Sequence, residues 1–484
     1  MATYIRLTDY KSSDEKEQEF FNSENRYKAK QEDFEKIPGN PIAYWVSNRV
    51  NKIFESSKTL ELYAKPIVGL FTCNNELFLK GWNEINFNKI DRLSLSNEEA
   101  TIKGLKWFPY KKGGGFQKWY GNNEFVVNYQ NDAMEIRAER LKKGQSNSLP
   151  GYQHYFKIGI TWSDVSSSKF ACRLSEGGFI FDIKGSSCFP NKNEVNYIMS
   201  FLNSKFVFFL LNVLNPTMSF QTGDIKKLPI IFPKNDSIKQ TIDQLTQQCI
   251  DISKEEWDSR ETSWDFTKNE LLKHRSDSKI ENAYNNYCSY WSEKFETLHK
   301  NEEELNKLFI DIYELQDELT PDVDLKDITI LKQESKINDN NELEFNAQEI
   351  IKQFISYAVG VMFGRYSLDQ DGLVVANLNQ DYPKNTTFEI DDDNVIPVLE
   401  DDFFSDDIAS RFTQFVKASF GEENLSENIN FIEKSLGTTI RKYFVKGFYE
   451  DHIKRYKKRP IYWMVSSPKK GFMTLIYMHR YTSD

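Results

Sequence analysis

The spacing of apolar residues changes several times along the chain, and each change predicts a different kind of structure. Residues 1–36 are charged and interrupted; residues 3–7 suit a short strand, and the rest to Lys36 reads as a solvated helix or loop. Ile37-Pro38-Gly39-Asn40-Pro41 is a turn cluster, after which Ala43, Val46, Val50 and Phe54 recur at helical spacing. From 60 to 235, short aromatic or β-branched runs alternate with glycines. Phe125-Val126-Val127, residues 155–161 and residues 178–183 are examples, and they read as strands of a mixed sheet. Residues 194–212 then predict one buried helix, and Leu228-Pro229-Ile230-Ile231-Phe232-Pro233 a last extended piece.

Beyond residue 235 the period becomes helical. Ile238, Ile242, Leu245, Cys249 and Ile252 step by four and three, and a longer stripe runs from Ile280 through Trp291, Leu298 and Leu308 to Leu319. That stripe predicts a helix of roughly forty residues, about 60 Å long at 1.5 Å per residue. Two such helices lying antiparallel form either a rigid spacer or a bundle core; the pattern fits both. Residues 321–345 read as polar linker, 350–363 as helix and 390–407 as an acidic loop, and Ile461-Tyr462-Trp463 and Leu475-Ile476-Tyr477 are strand-like. The expected class is α+β: a charged segment 1–36, a mixed-sheet domain 37–235, a long-helix spacer 236–320, and a mainly helical domain with a basic tail 321–484.

Composition narrows the function classes. Aromatic residues make up 14% of the chain, enough ring area to build a core although only 39% of residues are hydrophobic. The net charge of −10 argues against nonspecific coating of nucleic acid, but the charge is uneven. Residues 103–143 carry nine Lys/Arg against four Asp/Glu, residues 439–480 eleven against two, and residues 381–407 one against ten. The five scattered cysteines imply a reduced, cytoplasmic protein with no zinc ribbon, and the five histidines have no ligand spacing. The most apolar stretch, 197–214, is broken by Asn203, Ser204, Lys205 and Asn212, so a buried helix is expected and no membrane association. Gly113-Gly114-Gly115 lacks P-loop spacing, and Asp322, Asp324 and Lys326 read as surface charge.

Several stretches resemble the C-terminal half of the PglX family, the adenine-specific DNA methyltransferases of BREX bacteriophage-defence systems. They are Lys36-Ile37-Pro38-Gly39-Asn40-Pro41-Ile42-Ala43-Tyr44-Trp45, Lys106-Trp107-Phe108-Pro109-Tyr110-Lys111-Lys112-Gly113-Gly114 and Lys118-Trp119-Tyr120-Gly121-Asn122-Asn123. Gly159-Ile160-Thr161-Trp162-Ser163, Asn215-Pro216-Thr217 with Gln221-Thr222-Gly223-Asp224-Ile225, residues 354–367, and Arg455-Tyr456-Lys457-Lys458-Arg459-Pro460-Ile461-Tyr462-Trp463 follow in the family's order. One turn departs: where the family has Gly-Leu-Gln-Thr-Gly-Asp-Asn, this chain reads Gly69-Leu70-Phe71-Thr72-Cys73-Asn74-Asn75. A weaker likeness is to type I restriction specificity subunits, through Leu228-Pro229-Ile230 followed by a long helix.

The resemblance implies a DNA target-recognition domain without the catalytic domain. Methyl transfer to an exocyclic amine needs an Asn/Asp-Pro-Pro-aromatic loop, and Asn215-Pro216-Thr217-Met218 lacks the second proline and the ring. No cofactor is therefore expected in this chain, S-adenosylmethionine being needed by the missing catalytic domain, and the chain alone is expected to be inactive. The implied partners are double-stranded DNA and either a methyltransferase catalytic domain or other BREX components. A protein-interaction subunit with no DNA role is the alternative.

Phosphates are met by Lys, Arg, hydroxyls and backbone amides, and base edges by Arg, Lys, Asn or Gln. Lys111, Lys112, Gln117 and Lys118 surround the triple glycine, as phosphate contacts or as a solvated hairpin tip. Arg137, Arg140, Lys142 and Lys143 form a basic helix end beside Gly144. Thr161, Ser163, Ser166, Ser167, Ser168 and Lys169 form a hydroxyl-rich loop suited to phosphate. Gln221 is a base-reading candidate, although with Thr222 and Asp224 it also suits a capped turn. Lys454, Arg455, Lys457, Lys458 and Arg459 are expected either on a nucleic-acid backbone or docked on an acidic surface such as 390–407. Trp107, Trp119, Tyr120 and Trp162 read as core.

Overall fold

The structure, a computed structural model, describes all residues except 9, 167, 168, 384, 385, 469, 470 and 482–484. Strand Ala2–Ile5 pairs antiparallel with Arg26–Ala29, a strand the charged sequence did not advertise. Between them lies helix Ser13–Glu19, closed at its start by Ser12 and Glu15 in a reciprocal cap. The 37–41 turn is present, with Gly39 and Asn40 at φ 96° and 50°. The helix after it starts late, at Asn48, because the Ser47 hydroxyl caps it by accepting from the Val50 N–H. Ala43 and Val46 thus pack from a turn ahead of the helix, closed by the Val46 N–H on the Ala43 carbonyl.

Two four-stranded sheets follow. In one, Ile180–Phe181 runs parallel to Trp107–Lys111, which pairs antiparallel with Phe125–Asn128 and through it Leu79–Gly81. In the other, Pro66–Ile67, Ser187–Cys188, Gly159–Trp162 and Cys172–Ser175 are all antiparallel. The class is α+β, as expected. The run 155–161 yields a strand only from Gly159, since Phe156 sits at φ 67° and turns the chain first. The expected single buried helix is two, Val195–Asn203 and Lys205–Leu214, bent by 65°. Ser204 makes the break: its hydroxyl donates to the Phe201 carbonyl and accepts from the Val207 N–H. No single helix among the described residues is long and apolar enough to cross a membrane; this bent pair meets the length and composition test jointly, and most of its side chains lie in the interior.

Helices Asp236–Asp258 and Ile280–Tyr313 form the long pair. They are antiparallel: Glu255 takes the Tyr290 hydroxyl and Lys294, while Gln248 lies opposite Asn301 at 3.1 Å. The second helix has 34 residues, shorter than its stripe, because Glu314 turns left-handed at φ 54°. Leu315 and Leu319 continue the apolar spacing from non-helical chain.

The pair shares one apolar core with both of its neighbours instead of standing clear of them. Phe206 lies 4.0 Å from the Tyr313 ring at one end, and Tyr287 packs on Phe345 near the other. The expected polar linker is also partly interior: Ile328, Ile330, Leu331 and Glu334 are buried, and Ser335–Ile337 pairs with Leu343–Phe345. Its apolar residues are too few and too irregularly spaced to show a period. The last region packs helices Ala347–Met362, Ile408–Phe420 and Leu425–Leu436 beside a sheet ordered Val395–Pro397, Met473–Tyr477, Tyr462–Ser466. The acidic segment thus supplies a strand as well as a loop.

One carboxylate fastens the sheet region to the helices. Glu302, 1% exposed at its side chain, accepts from Lys118 Nζ at 2.5 Å and from the Trp119 indole N–H at 2.7 Å. Removing one member of a buried pair strands the other's charge, at about 3–5 kcal/mol. Glu302→Ala should therefore lower unfolding stability by about that much in urea titrations. The double variant Glu302→Gln, Lys118→Met, which strands no charge, should recover most of the loss. A loss below about 1 kcal/mol for Glu302→Ala would remove this anchoring role.

Candidate nucleic-acid interface

Strand Trp107–Lys111 delivers the chain to the triple glycine. Gly113 has φ 87°, and a Cβ there would sit 2.8 Å from the Lys184 carbonyl oxygen; at Gly114 it would sit 2.6 Å from Asn122. Glycine is thus required by space as well as by conformation. The Ser163 hydroxyl accepts from the Gly114 N–H at 3.0 Å and donates to the Gly114 carbonyl at 2.9 Å, so that peptide is satisfied inside the protein.

The turn candidates divide by burial. Lys111 faces inward, 2% exposed, with Nζ 2.5 Å from Asn123 Oδ1 and 4.3 Å from the Phe179 ring centre. Burial, then the Arg173 charge, pushes its pKa down to about 7. Thr161 is fully buried and donates to the Gly185 and Ser186 carbonyls. Both are withdrawn from any surface, because the strands that carry them are buried on both faces. Lys112 and Gln117 are half-buried, and the Gln117 amide donates to the Tyr120 carbonyl. Lys118 is held by Glu302, and its backbone N–H donates to the Thr329 hydroxyl.

The basic helix end is mostly a clamp. Helix Gln130–Lys142 opens on three left-handed residues, Asn131, Asp132 and Ala133. Arg137 holds that turn by donating to the Asp132 carbonyl and carboxylate, each at 2.8 Å. Arg140 is buried and donates to the Phe71 carbonyl at 2.8 Å, and Lys143 donates to the Cys73 carbonyl at 2.6 Å. The turn that departs from the PglX pattern is therefore held by two residues predicted to meet DNA. Among the described residues, Lys142 alone of the four is exposed without a partner.

Lys169 is paired with Asp327, and Ser167 and Ser168 lie outside the described residues. Gln221 exposes its side chain while its carbonyl accepts from the Asp224 and Ile225 N–H groups, the capped turn expected there. Lys118 and Lys169 share a cleft of about 290 Å³ with Lys205, Asp322 and Asp324.

The C-terminal basic run docks on acid, at a different place from the one expected. Lys457 and Lys458 are left-handed, at φ 51° and 65°, which swings the chain off helix Tyr449–Arg455. Lys457 lies 2.5 Å from Glu124, Arg459 3.2 Å from Glu84 and Arg455 3.2 Å from Glu349. Asp407, in the segment expected to receive them, pairs with Arg441. Lys454 and Lys458 stay exposed.

This docking frames a cleft of about 630 Å³. Its walls are the glycine turn with Gln117, Trp257 in the last turn of the first long helix, Arg260–Thr262 just after it, Thr329, Lys332 and Gln333 of the linker, and Lys352, Lys454, Arg455 and Lys457. Four predicted residues thus meet at one place: Gln117, Lys454, Arg455 and Lys457. Trp257, Lys332 and Lys352 were not singled out by the sequence; each sits in a run read as helix or linker, with no local sign of what it faces.

No family model matches the chain. Over 99% of its residues it is 38% identical to the adenine-specific methyltransferase PglX of Lacticaseibacillus casei (strain Zhang) and 36% identical to the adenine-specific methyltransferase BrxX of Escherichia coli O9:H4 (strain HS). The chain spans about two-fifths of these relatives, 41% and 40%. The similarity takes in the mixed sheets, the helical pair and the basic tail alike, and supports the resemblance to adenine-specific methyltransferases of the PglX type.

Lys111 gives a pH signature. Its folded pKa, about 7, lies below the ordinary 10.5, so between those values the unfolded chain binds the extra proton. Its contribution to stability is present above 10.5 and is lost as pH falls through 7. Urea-unfolding free energies of the wild type should thus rise more steeply from about pH 7 to pH 10 than those of Lys111→Met. Equal slopes would show that the amine stays charged in the fold.

Proposed function

We propose that these 484 residues are the sequence-specific DNA-recognition portion of a PglX-like adenine-N6 DNA methyltransferase of a BREX-type phage-defence system. Methyl transfer and S-adenosylmethionine binding belong, on this reading, to a catalytic portion outside these residues. The observation that carries it is the similarity over 99% of the chain to two-fifths of two adenine-specific methyltransferases, in a stretch without the Asn/Asp-Pro-Pro-aromatic loop.

The exposed cations Lys142, Lys454 and Lys458, with half-buried Lys112, are the phosphate contacts on this reading, and Gln117 and Gln221 are the base readers. A second reading, a docking subunit with no DNA role, draws on the net charge of −10 and on the pairing of Arg455, Lys457 and Arg459 inside the fold.

Fluorescence anisotropy with mixed-sequence duplex DNA separates the two. If about four phosphates are neutralised, affinity should fall about a hundredfold between 50 and 200 mM salt. Lys142→Ala and Lys458→Ala should each lower the logarithmic salt slope by about one. Labelled S-adenosylmethionine should give no methylated DNA with this chain alone. Absent or salt-insensitive DNA binding, together with tight binding to a methyltransferase subunit, would favour the docking subunit.

A further inference from the structure

Helix Ala347–Met362 carries Ser356 and Gly360 one turn apart, and several polar side chains from other segments converge on that stretch. Glu261, just past the first long helix, accepts from the Ser356 hydroxyl. Tyr462 comes in from the C-terminal sheet and lies over Gly360. A Cβ at that glycine would sit 3.1 Å from the Tyr462 hydroxyl oxygen and 2.5 Å from the Tyr366 ring. Tyr456 follows helix Tyr449–Arg455, and His452 fixes both tyrosines, its ring centre 4.8 Å from each. Arg365, beyond the C-terminal end of helix Ala347–Met362, donates to the Tyr366 and Tyr477 hydroxyls. All of these side chains are buried.

The polar groups gathered there do not satisfy one another. Among the described residues, Glu261 Oε2, Arg365 Nη2 and the Tyr456 and Tyr462 hydroxyls have no hydrogen-bond partner. A buried donor or acceptor left unmet bears the full cost of leaving water, and native folds rarely leave one so. Four at one place are therefore a demand for something that meets them. Burial above all holds both phenols well above the ordinary pKa of 10, so both keep their protons. Glu261 and Arg365 each lie near enough to act on both hydroxyls. The two phenols thus share an anion and a cation that form no ion pair with each other.

The chemistry of the four groups selects the ligand. One is an acceptor, one is a donor, and two can do either. The charges already balance, one carboxylate against one guanidinium, since the other nearby cation, Arg455, lies 3.9 Å from Glu261 and pairs more closely with Glu349. An ion would upset that balance. Aromatic rings enclose the place, with Phe363 and Tyr477 5.3 Å and 5.5 Å from the Tyr462 ring, so a bulky ligand is excluded. Water is small and neutral, donates twice and accepts twice, and inside proteins makes about three hydrogen bonds to groups that otherwise lack them. We propose that Glu261 Oε2, the Tyr456 and Tyr462 hydroxyls and Arg365 Nη2 share bound interior water. That water donates to the carboxylate and accepts from the phenols, and the Arg365 charge polarises the chain of hydrogen bonds toward Glu261. The end of the first long helix is thereby tied to the C-terminal sheet through solvent. This site is independent of the DNA-recognition reading.

The test combines a high-resolution crystal structure of the whole chain with urea titrations of hydroxyl-deletion variants. Ordered water is expected about 2.6–3.2 Å from Glu261 Oε2 and from at least one of the two phenol oxygens. A phenol bonded directly to Glu261 with no water between them, or an ion in that place, would overturn the proposal. Tyr456→Phe and Tyr462→Phe each remove a hydroxyl and keep the ring. Deleting a hydroxyl that has no partner leaves the unfolding constant unchanged or lowers it, whereas deleting one that holds water should raise it about fivefold. Because the two hydroxyls share their water, the double variant should raise the constant by clearly less than the product of the single effects, about 25-fold. Single variants as stable as the wild type, or effects that multiply in full, would each defeat the shared-water assignment.

Discussion

The structure depends on the cost of burying carboxylates along the long helical pair. Glu256, Glu261, Glu270 and Glu302 all lie in the interior, on the two helices or the segment joining them. A buried carboxylate must find donors or cost several kcal/mol, and the donors here come largely from other parts of the chain. Glu302 draws in Lys118 and Trp119 from the sheet region, and Glu256 takes the Leu331 N–H from the linker at 2.7 Å. Arg260 bridges Glu256 to Glu334 and so holds the linker as well. Glu270 takes the Trp291 indole N–H at 3.0 Å. Sheet, linker and C-terminal helices are thereby pinned to one spine, with the cleft at the spine's turn.

Two of the set keep one oxygen without a hydrogen-bond donor among the described residues, Glu256 and Glu261. The Ser356 donor of Glu261 comes from helix Ala347–Met362, and the nearby cation, Arg455, lies 3.9 Å away and is closer to Glu349. Glu256 and Glu302 anchor distant segments, and Glu270 ties the segment joining the two helices to the second of them. Glu261 does this with one oxygen, which takes the Ser356 hydroxyl, and its second oxygen is enclosed in the interior.

Sequence patterning reveals elements whose cause is local and conceals what is made by contact. The two long helices are visible because their apolar faces repeat, and the 37–41 turn because glycine and proline mark it. The length of the second helix is not visible, since Leu315 and Leu319 keep the spacing after Glu314 has turned the chain. Ser204 splits an apolar helix by a cap that composition alone does not distinguish from an ordinary serine. The charged candidates mislead for a related reason. Lys111 and Lys112 are adjacent, yet Lys111 ends a strand buried on both faces and Lys112 lies just past it, half-buried. Arg140 and Lys142 lie on one helix, yet only Arg140 reaches the Phe71 carbonyl. A basic run in a sequence records charge, and its use is settled by whichever carboxylates and carbonyls the fold brings opposite.

That distinction also reconciles an acidic chain with a DNA-facing role. Many of the cations in the two basic regions are consumed by the fold itself, at Glu302, Asp132, Glu349, Glu124 and Glu84. The lysines left over are few and dispersed, so the field offered to a polyanion is local and the total charge says little about it. The pairs formed by Lys457 and Arg459 differ from the buried ones in being partly exposed, and exposed ion pairs contribute at most about 1 kcal/mol each. A phosphate reaching Lys457 at the cleft therefore competes only with a partly exposed pair, the one to Glu124. The basic tail can exchange one anion for another there without loosening the spine, because the residues that hold the spine are elsewhere and are buried.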